Sequence, residues 1–239
     1  MTRNPNLVGV PAAIAGDPKK RTGIILAANY EARYFGVKTA MVVREALKLC
    51  PNIKLVPPDH HFYAHKSDKL MNLLLNYTPL IEKGSIDEAW LDMTGSEGIY
   101  GEPLEAAQKL MNSIQNELNL PCSIGISENK FLSKMAADIK KPLGITELWS
   151  KDIVNKLWPL PVGTMNGIGK QSAKKLNSFG IKTIGDLAEL DKDFLIKHFG
   201  KNGIAIHEKA NGIDYTRSNH LLTNGLYFSP ARGILRPTN

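Results

Sequence analysis

Cysteine is scarce. Cys50 and Cys122 are the only two in 239 residues, too few and too unpatterned for a disulfide framework or a zinc cluster. A reducing cytosol (a cytoplasmic location) is the simplest compartment for such a chain. Long apolar runs are lacking too, and no stretch is long and apolar enough to cross a membrane. Near the N-terminus, Arg3, Leu7 to Ala15 and the small residues Ala13-Ile14-Ala15 imitate a signal peptide, but Gly9 and Pro11 interrupt the run and one basic residue precedes it. That segment reads as a core strand instead. Acidic residues are the scarcer charge, 23 against 30 Lys and Arg, for a net charge of +7 and a pI near 9.3. The basic excess suits an anionic partner such as nucleic acid, although charge alone carries little weight. Hydrophobic content of 43% with 22% charged residues is ordinary for a globular chain. At this length it can bury a core divided into two or three compact units.

What is present centres on Gly84-Ser85-Ile86-Asp87-Glu88-Ala89-Trp90-Leu91-Asp92. Neighbouring residues on a regular strand point to opposite faces, so Asp87 and Glu88 would not reach one ion from a flat strand. A tight turn removes the objection, and Lys83-Gly84-Ser85 supplies turn-prone residues. Two carboxylates aimed into one cleft repel unless a cation lies between them, and hard oxygen ligands favour magnesium or manganese. A surface acidic doublet beside a hairpin is the plainer alternative from this pair alone.

In chain order, residues 7–15 read as a buried strand, residues 16–23 as a turn with Lys19, Lys20 and Arg21 at its tip, and Ile24 to Ala28 as a second strand. Asn29 is a fitting N-cap and Gly36 a fitting C′ stop for a short helix between them. Tyr30 and Arg33 lie three apart on that helix, so a phenol and a guanidinium share a face and could clamp phosphate. A packed tyrosine and a surface arginine fit as well. Val42 to Cys50 and Asp59 to Asn76 are helical, the latter with Phe62, Leu70, Leu73 and Leu74 to bury. His61 and His65 have a metal-compatible spacing but no third ligand, and read as solvated. Pro103 to Leu118 is an amphipathic helix, Pro121 to Ser127 a strand expected beside the hairpin, and Glu128 to Lys140 a helix ended by Pro142 and Gly144. The order predicts an α+β fold, with an antiparallel or mixed sheet and helices on one face. Lys130, Lys134, Lys140 and Lys141 read, taken alone, as a solvated face.

From Lys151 the chain becomes helical, short-looped and lysine-rich. Met165-Asn166-Gly167-Ile168-Gly169-Lys170 joins two predicted helices, with Lys174 and Lys175 nearby. Glycines that let backbone N–H groups face a phosphate, with lysines beside them, are the helix-hairpin-helix pattern that holds DNA backbone without reading sequence. Phe199-Gly200-Lys201-Asn202-Gly203 is a weaker echo. Residues 216–239, with Pro230, Gly233 and Pro237, read as a loose tail.

Several of these stretches together resemble the Y-family of lesion-bypass DNA polymerases. They are Ala28 to Arg33 with Gly36-Val37-Lys38, Ser85 to Ala89, Gly125 to Asp138, Lys141 to Ile145 and the Gly-Ile-Gly hairpin, in family order over residues 5–214. The resemblance implies a translesion DNA-directed DNA polymerase, a nucleotidyltransferase of DNA repair that binds damaged DNA. Its partners would be primed template DNA and dNTP, with a sliding clamp as a further candidate. It implies Asp87 and Glu88 as catalytic ligands of two Mg2+ ions, and Tyr30, Arg33 and Lys141 as holders of the nucleotide triphosphate. Gly167, Ile168, Gly169 and Lys170 would grip duplex DNA, with Lys174 and Lys175 adding charge. Fingers would span residues 1–60, palm 61–148 and an all-α thumb 149–215, leaving 216–239 as a divergent tail. Members also carry a leading strand with another catalytic aspartate and a trailing little-finger domain, which nothing in Met1–Asn6 or beyond Asp214 matches. The expectation is therefore a truncated chain, impaired as a catalyst on its own but still DNA-binding, with weakened Mg2+ binding. The alternatives are a polymerase active once the first strand is supplied, and a non-functional remnant.

Overall fold

The computed structural model describes residues 4–16, 23–216 and 227–231; the basic turn at Lys19–Arg21 and the rest of the tail lie outside these. The described residues form two compact units, one built on the chain up to Leu73 with Ser113–Pro121, the other on Leu74–Asn112 with Cys122–Ala231.

In the first unit, strands β1 (Ala12–Ala15), β2 (Ile25–Ala28) and β3 (Lys54–Val56) form a sheet of order β2-β1-β3. β1 runs antiparallel to β2 and parallel to β3. The strand expected over residues 7–15 is confined to its last four residues: Pro5–Leu7 is a 3-10 turn, Gly9 has a φ of 71°, and Pro11 follows before pairing begins. Helices α1 (Tyr30–Tyr34) and α2 (Val43–Leu49) bury small side chains, Ala32, Val43 and Ala46, against Ala13, Ala15, Ile25 and Ala28. Small residues there let short helices lie close to the strands. Helix α3 (His60–Leu74) follows, its first turn bonded by Asp59, whose carboxylate accepts from Phe62 N at 3.0 Å.

The second unit holds a five-stranded mixed sheet of order β4-β5-β8-β6-β7, from β4 (Ile81–Lys83), β5 (Ala89–Asp92), β6 (Ser123–Ser127), β7 (Ile145–Glu147) and β8 (Tyr227–Ala231). β4 and β5 are the expected hairpin, and β6 pairs in parallel with β7. Two expectations change here. The strand at 123–127 does not lie directly beside the hairpin, because β8 runs between them, antiparallel to both. The tail is correspondingly not loose throughout, since five of its residues form that central strand. The physical reason is the open ladder on each of β5 and β6, whose unpaired N–H and C=O groups template an added strand.

Helices α4 (Glu97–Tyr100) and α5 (Pro103–Leu118) connect the hairpin to β6. Helix α6 (Lys130–Ile139), capped by the Asn129 carboxamide, lies on β6 so closely that Gly125 has no room for a side chain: a Cβ there would stand 1.9 Å from Ser133 O and 2.4 Å from Ala137 N. The opposite side of α6 belongs to a core in which Phe131, Leu132 and Met135 meet Leu148, Leu157, Met165 and Leu176. Beyond it stand α7 (Lys170–Ser178), α8 (Ile184–Ala188), α9 (Lys192–Phe199) and α10 (Lys201–Ala210). The segment before the Gly-Ile-Gly hairpin is a π turn, Ile153–Leu157, and a 3-10 turn, Val162–Thr164, rather than the α-helix expected. Pro159 and Pro161 between them explain this, since each removes an N–H and neither fits a helix interior.

Candidate functional site

The acidic pair sits at the hairpin turn. Glu88 O accepts from Gly84 N at 2.9 Å and from Ser85 N at 3.1 Å, closing the loop next to the Lys83–Ala89 pair. Glycine is required at 84 because a Cβ would approach the Trp90 ring to 2.6 Å. Asp87 accepts from the Ser85 hydroxyl at 2.7 Å, so the turn residue orients that carboxylate. Glu88 lies two residues from Trp90 and shares its face of the strand. Its carboxylate accepts from Lys134 Nζ at 2.6 Å.

Helix α6 supplies two lysines to this face. Lys130 Nζ is 3.0 Å from both carboxylate oxygens of Glu82 and 5.7 Å from the Trp90 ring centre, while the Trp90 indole donates to Lys130 O at 3.1 Å. Lys134 also stands 3.9 Å from Asp138, whose carboxylate holds the Lys141 ammonium. Glu88, Lys134, Asp138 and Lys141 thus form a row of alternating charge. The reading of these lysines as one solvated face is corrected, because Lys130 and Lys134 are 8% and 5% exposed. A lysine survives such burial only with a carboxylate against it. Glu82 is the residue the sequence argument missed, and Lys134 was named without its partner. The i,i+4 spacing of Lys130, Lys134 and Asp138 on one helix face was the available signal.

In the first unit, Asn29 is fully buried and joins three segments: its carboxamide oxygen accepts from Ala12 N and Ala32 N, each at 2.9 Å, and its nitrogen donates to Val10 O at 2.7 Å. It caps α1 as expected, and Gly36, with φ 86°, ends that helix. Arg33 Nε donates to Ala28 O at 2.9 Å, and Tyr30 and Arg33 are both half-buried on one side of α1. His61 and His65 are exposed on α3.

At the Gly-Ile-Gly turn, Gly167 has a φ of 95°, which favours glycine, and Ile168 between the two exposed glycines is buried. The turn is seated on α6, where Asn166 N donates to Met135 Sδ at 3.3 Å. Gly169 is the N-cap of α7, leaving backbone N–H groups of the first turn without a side-chain cap. Lys170 and Lys174 lie one turn apart and exposed. Lys175 turns away from them: its ammonium donates to His198 O at 2.5 Å and lies 4.8 Å from the Phe199 ring, closing the C-terminal end of α9.

For divalent ions the donor set is small. Among the described residues no three of His, Cys, Asp and Glu come together in a way that could hold a metal, and Glu88 is already engaged by a lysine. Two carboxylates, one of them ion-paired, would hold hard divalent ions only with water and substrate phosphate supplying the remaining oxygens. Burial pushes the Cys122 thiol up to about 12, which removes it as a nucleophile.

Residues 1–138 match the sequence model of the impB/mucB/samB family, and residues 163–214 match a thumb domain described for DNA polymerase iota. DNA polymerase IV of Clostridium kluyveri is 64% identical over 89% of this chain and 53% of its own length. DNA polymerase IV of Alkaliphilus oremlandii is 61% identical over 90% of this chain and 54% of its own. The chain therefore spans about half the length of the curated relatives it matches. Among solved structures, DinB from Sulfolobus solfataricus superposes with a TM-score of 0.81 at 30% identity, covering 91% of this chain and 64% of that one. An insertion ternary complex of Dbh DNA polymerase superposes at 0.79 and 31% identity, with 90% and 64% covered.

Proposed function

Because this chain belongs to the impB/mucB/samB family, the Y-family of DNA polymerases, we propose that it binds primed template DNA and dNTP in the manner of a translesion DNA-directed DNA polymerase. We propose further that, acting alone, it is impaired in nucleotidyl transfer. In this reading Asp87 and Glu88 face the reacting phosphate, while Tyr30, Arg33 and Lys141 hold the triphosphate. The turn Gly167-Ile168-Gly169 with Lys170 and Lys174 holds duplex backbone. Residues 1–60, 61–148 and 149–215 are the fingers, palm and thumb of that arrangement.

Members of the family use divalent cations, which lower the barrier by neutralising charge on the oxygens of the reacting phosphate. One observation carries the impairment: Glu88 is held by Lys134 at 2.6 Å with no third acidic side chain joined to it and Asp87 among the described residues. The chain beyond Asp214 contains no aspartate or glutamate, so β8 brings no carboxylate to the sheet beside β5. What the protein's own residues still do is position. The Gly167–Lys170 turn offers backbone N–H groups and charge to phosphate regardless of base sequence.

Two measurements on the purified chain test this. Fluorescence anisotropy with a primed duplex at low salt should show binding that weakens steeply with salt; no measurable binding overturns the first proposal. Primer extension with Mg2+ or Mn2+ should show synthesis lower than that of a full-length relative by about a hundredfold or more, as expected when reacting groups are displaced by an ångström. Robust synthesis overturns the second.

A further inference from the structure

The centre of the five-stranded sheet is filled from the far end of the chain. β5 and β6 are each a neighbour of β8 and not of each other. Adjacent strands lie about 4.8 Å apart, so β5 and β6 stand about two such spacings from one another and cannot pair directly. Without an occupant the sheet would divide into two ladders, β4–β5 and β6–β7, and two-stranded ladders are marginal in water. With β8 in place every residue of β6 is buried, including Ser123 and Ser127, so the amides and carbonyls along its inner edge are satisfied by strand pairing rather than by water.

We propose that the position between β5 and β6 is a strand-acceptor site, filled in cis by residues 227–231 and able to take the same extended segment as a separate peptide. Three features point to an exchangeable occupant. Pairing to β6 covers all five residues of β8, from Ser127↔Tyr227 to Ser123↔Ala231, but pairing to β5 covers only Tyr227 and Phe228. Pro230 falls where β8 has a paired neighbour on one side only, the setting in which a missing N–H is tolerated. The segment 227–231 carries no charged residue, so recognition rests on backbone pairing. An intramolecular occupant competes at an effective concentration in the millimolar range, which keeps the cis strand dominant over dilute competitors. The inference needs only the sheet topology and stands apart from the DNA-binding reading.

Phe228 is the position to break. It is paired with Leu91 on one side and with Ile126 on the other, so a proline there loses a ladder bond whichever way its N–H would point. The probe is a fluorescein-labelled peptide of residues 224–233, Asn-Gly-Leu-Tyr-Phe-Ser-Pro-Ala-Arg-Gly. In the full chain, Phe228→Pro should bind it about tenfold or more tighter than the parent, because the competing cis strand is disabled. A peptide carrying the same proline should not bind. Equal affinity for parent and variant, or no binding to either, overturns exchange at this site. Amide hydrogen exchange on the parent decides the cis occupancy independently: amides of 227–231 should be slowed about a hundredfold or more relative to an unstructured segment. Exchange at the unstructured rate overturns the proposal, and that measurement remains decisive should Phe228→Pro prove insoluble.

Discussion

Two helices of this protein carry lysines one turn apart and use them in opposite ways. On α6, Lys130 and Lys134 are buried and each ammonium meets a glutamate of the hairpin. On α7, Lys170 and Lys174 are exposed and the glycine turn before them presents an uncapped helix start. The difference lies in what faces each helix. The hairpin presents Glu82 and Glu88 on one face, and desolvating a lysine is costly unless such a carboxylate meets it. Nothing acidic closes over the first turn of α7 among the described ion pairs, so its charge stays available to an external anion. Helical spacing of a lysine pair therefore says little until the opposing surface is known.

The glycines follow the same division, and the largest expected effect comes from them. Gly125→Ala places a methyl group against the backbone of α6 at Ser133 and Ala137, where neither partner can yield as a side-chain tip could. We expect a loss of about 3 kcal/mol or more by chemical denaturation, or failure to accumulate in soluble form. Gly169→Ala meets no atom within 4 Å and sits at a φ of −78°, so stability should change by less than about 1 kcal/mol. Comparable losses at both positions would break the distinction between a packed and an open glycine.

The lysines sharpen the contrast next. Lys134→Met leaves the Glu88 carboxylate, 13% exposed, without its ammonium partner. The loss should be about 2–4 kcal/mol, reduced from the fully buried case by that residual exposure. Much of it should return in Lys134→Met combined with Glu88→Gln, the signature of a coupled pair in a double-mutant cycle. Lys170→Ala should leave stability within about 0.5 kcal/mol. Its effect belongs to DNA: affinity for a primed duplex should fall similarly across base sequences, and the slope of log affinity against log salt should flatten by about 1. Unchanged salt dependence would mean that this lysine does not touch phosphate.

How far the sequence reaches is visible in the same elements. The α1 cap at Asn29, the stop at Gly36, the hairpin around Gly84 and the helix over 103–118 were legible, because each depends on local chemistry that glycine, asparagine and periodic apolar residues encode directly. The pairing of Lys134 with Glu88 spans 46 residues of chain and was not legible, since no local pattern specifies which charge a helix face will meet. β8 was hidden for a stronger reason. Pro230 and the flanking glycine and proline argue locally against a strand, and only the open ladders of β5 and β6, more than a hundred residues earlier for β5, turn that segment into one. The lysines of α7 were assigned together from their spacing, whereas Lys175 closes α9 instead, a partner choice set by tertiary packing.

The smallest expected effect tests whether an exposed carboxylate needs a lysine at all. Asp186 ends the capping box of α8: its carboxylate accepts from Lys182 N and Thr183 N, each at 2.8 Å, while Asp186 N donates to Thr183 Oγ1 at 3.0 Å. Those backbone bonds, first from Thr183 and then from Lys182, hold its carboxyl below the usual range. A carboxyl whose folded pKa is depressed contributes stability that is fully present above its unfolded pKa, near 3.9, and is lost as pH falls through the folded value. Asp186→Asn should therefore lower Tm slightly at pH 7. The gap between variant and parent should begin to narrow as pH drops below about 4, where the unfolded chain takes up the proton, and close once the folded carboxyl does so too. An alanine at the neighbouring Lys182 should leave that pH dependence nearly intact, because the Lys182 contribution is mainly its amide. If Lys182→Ala abolishes it, the side-chain charge is the cause, and this exposed carboxylate obeys the same rule as Glu88.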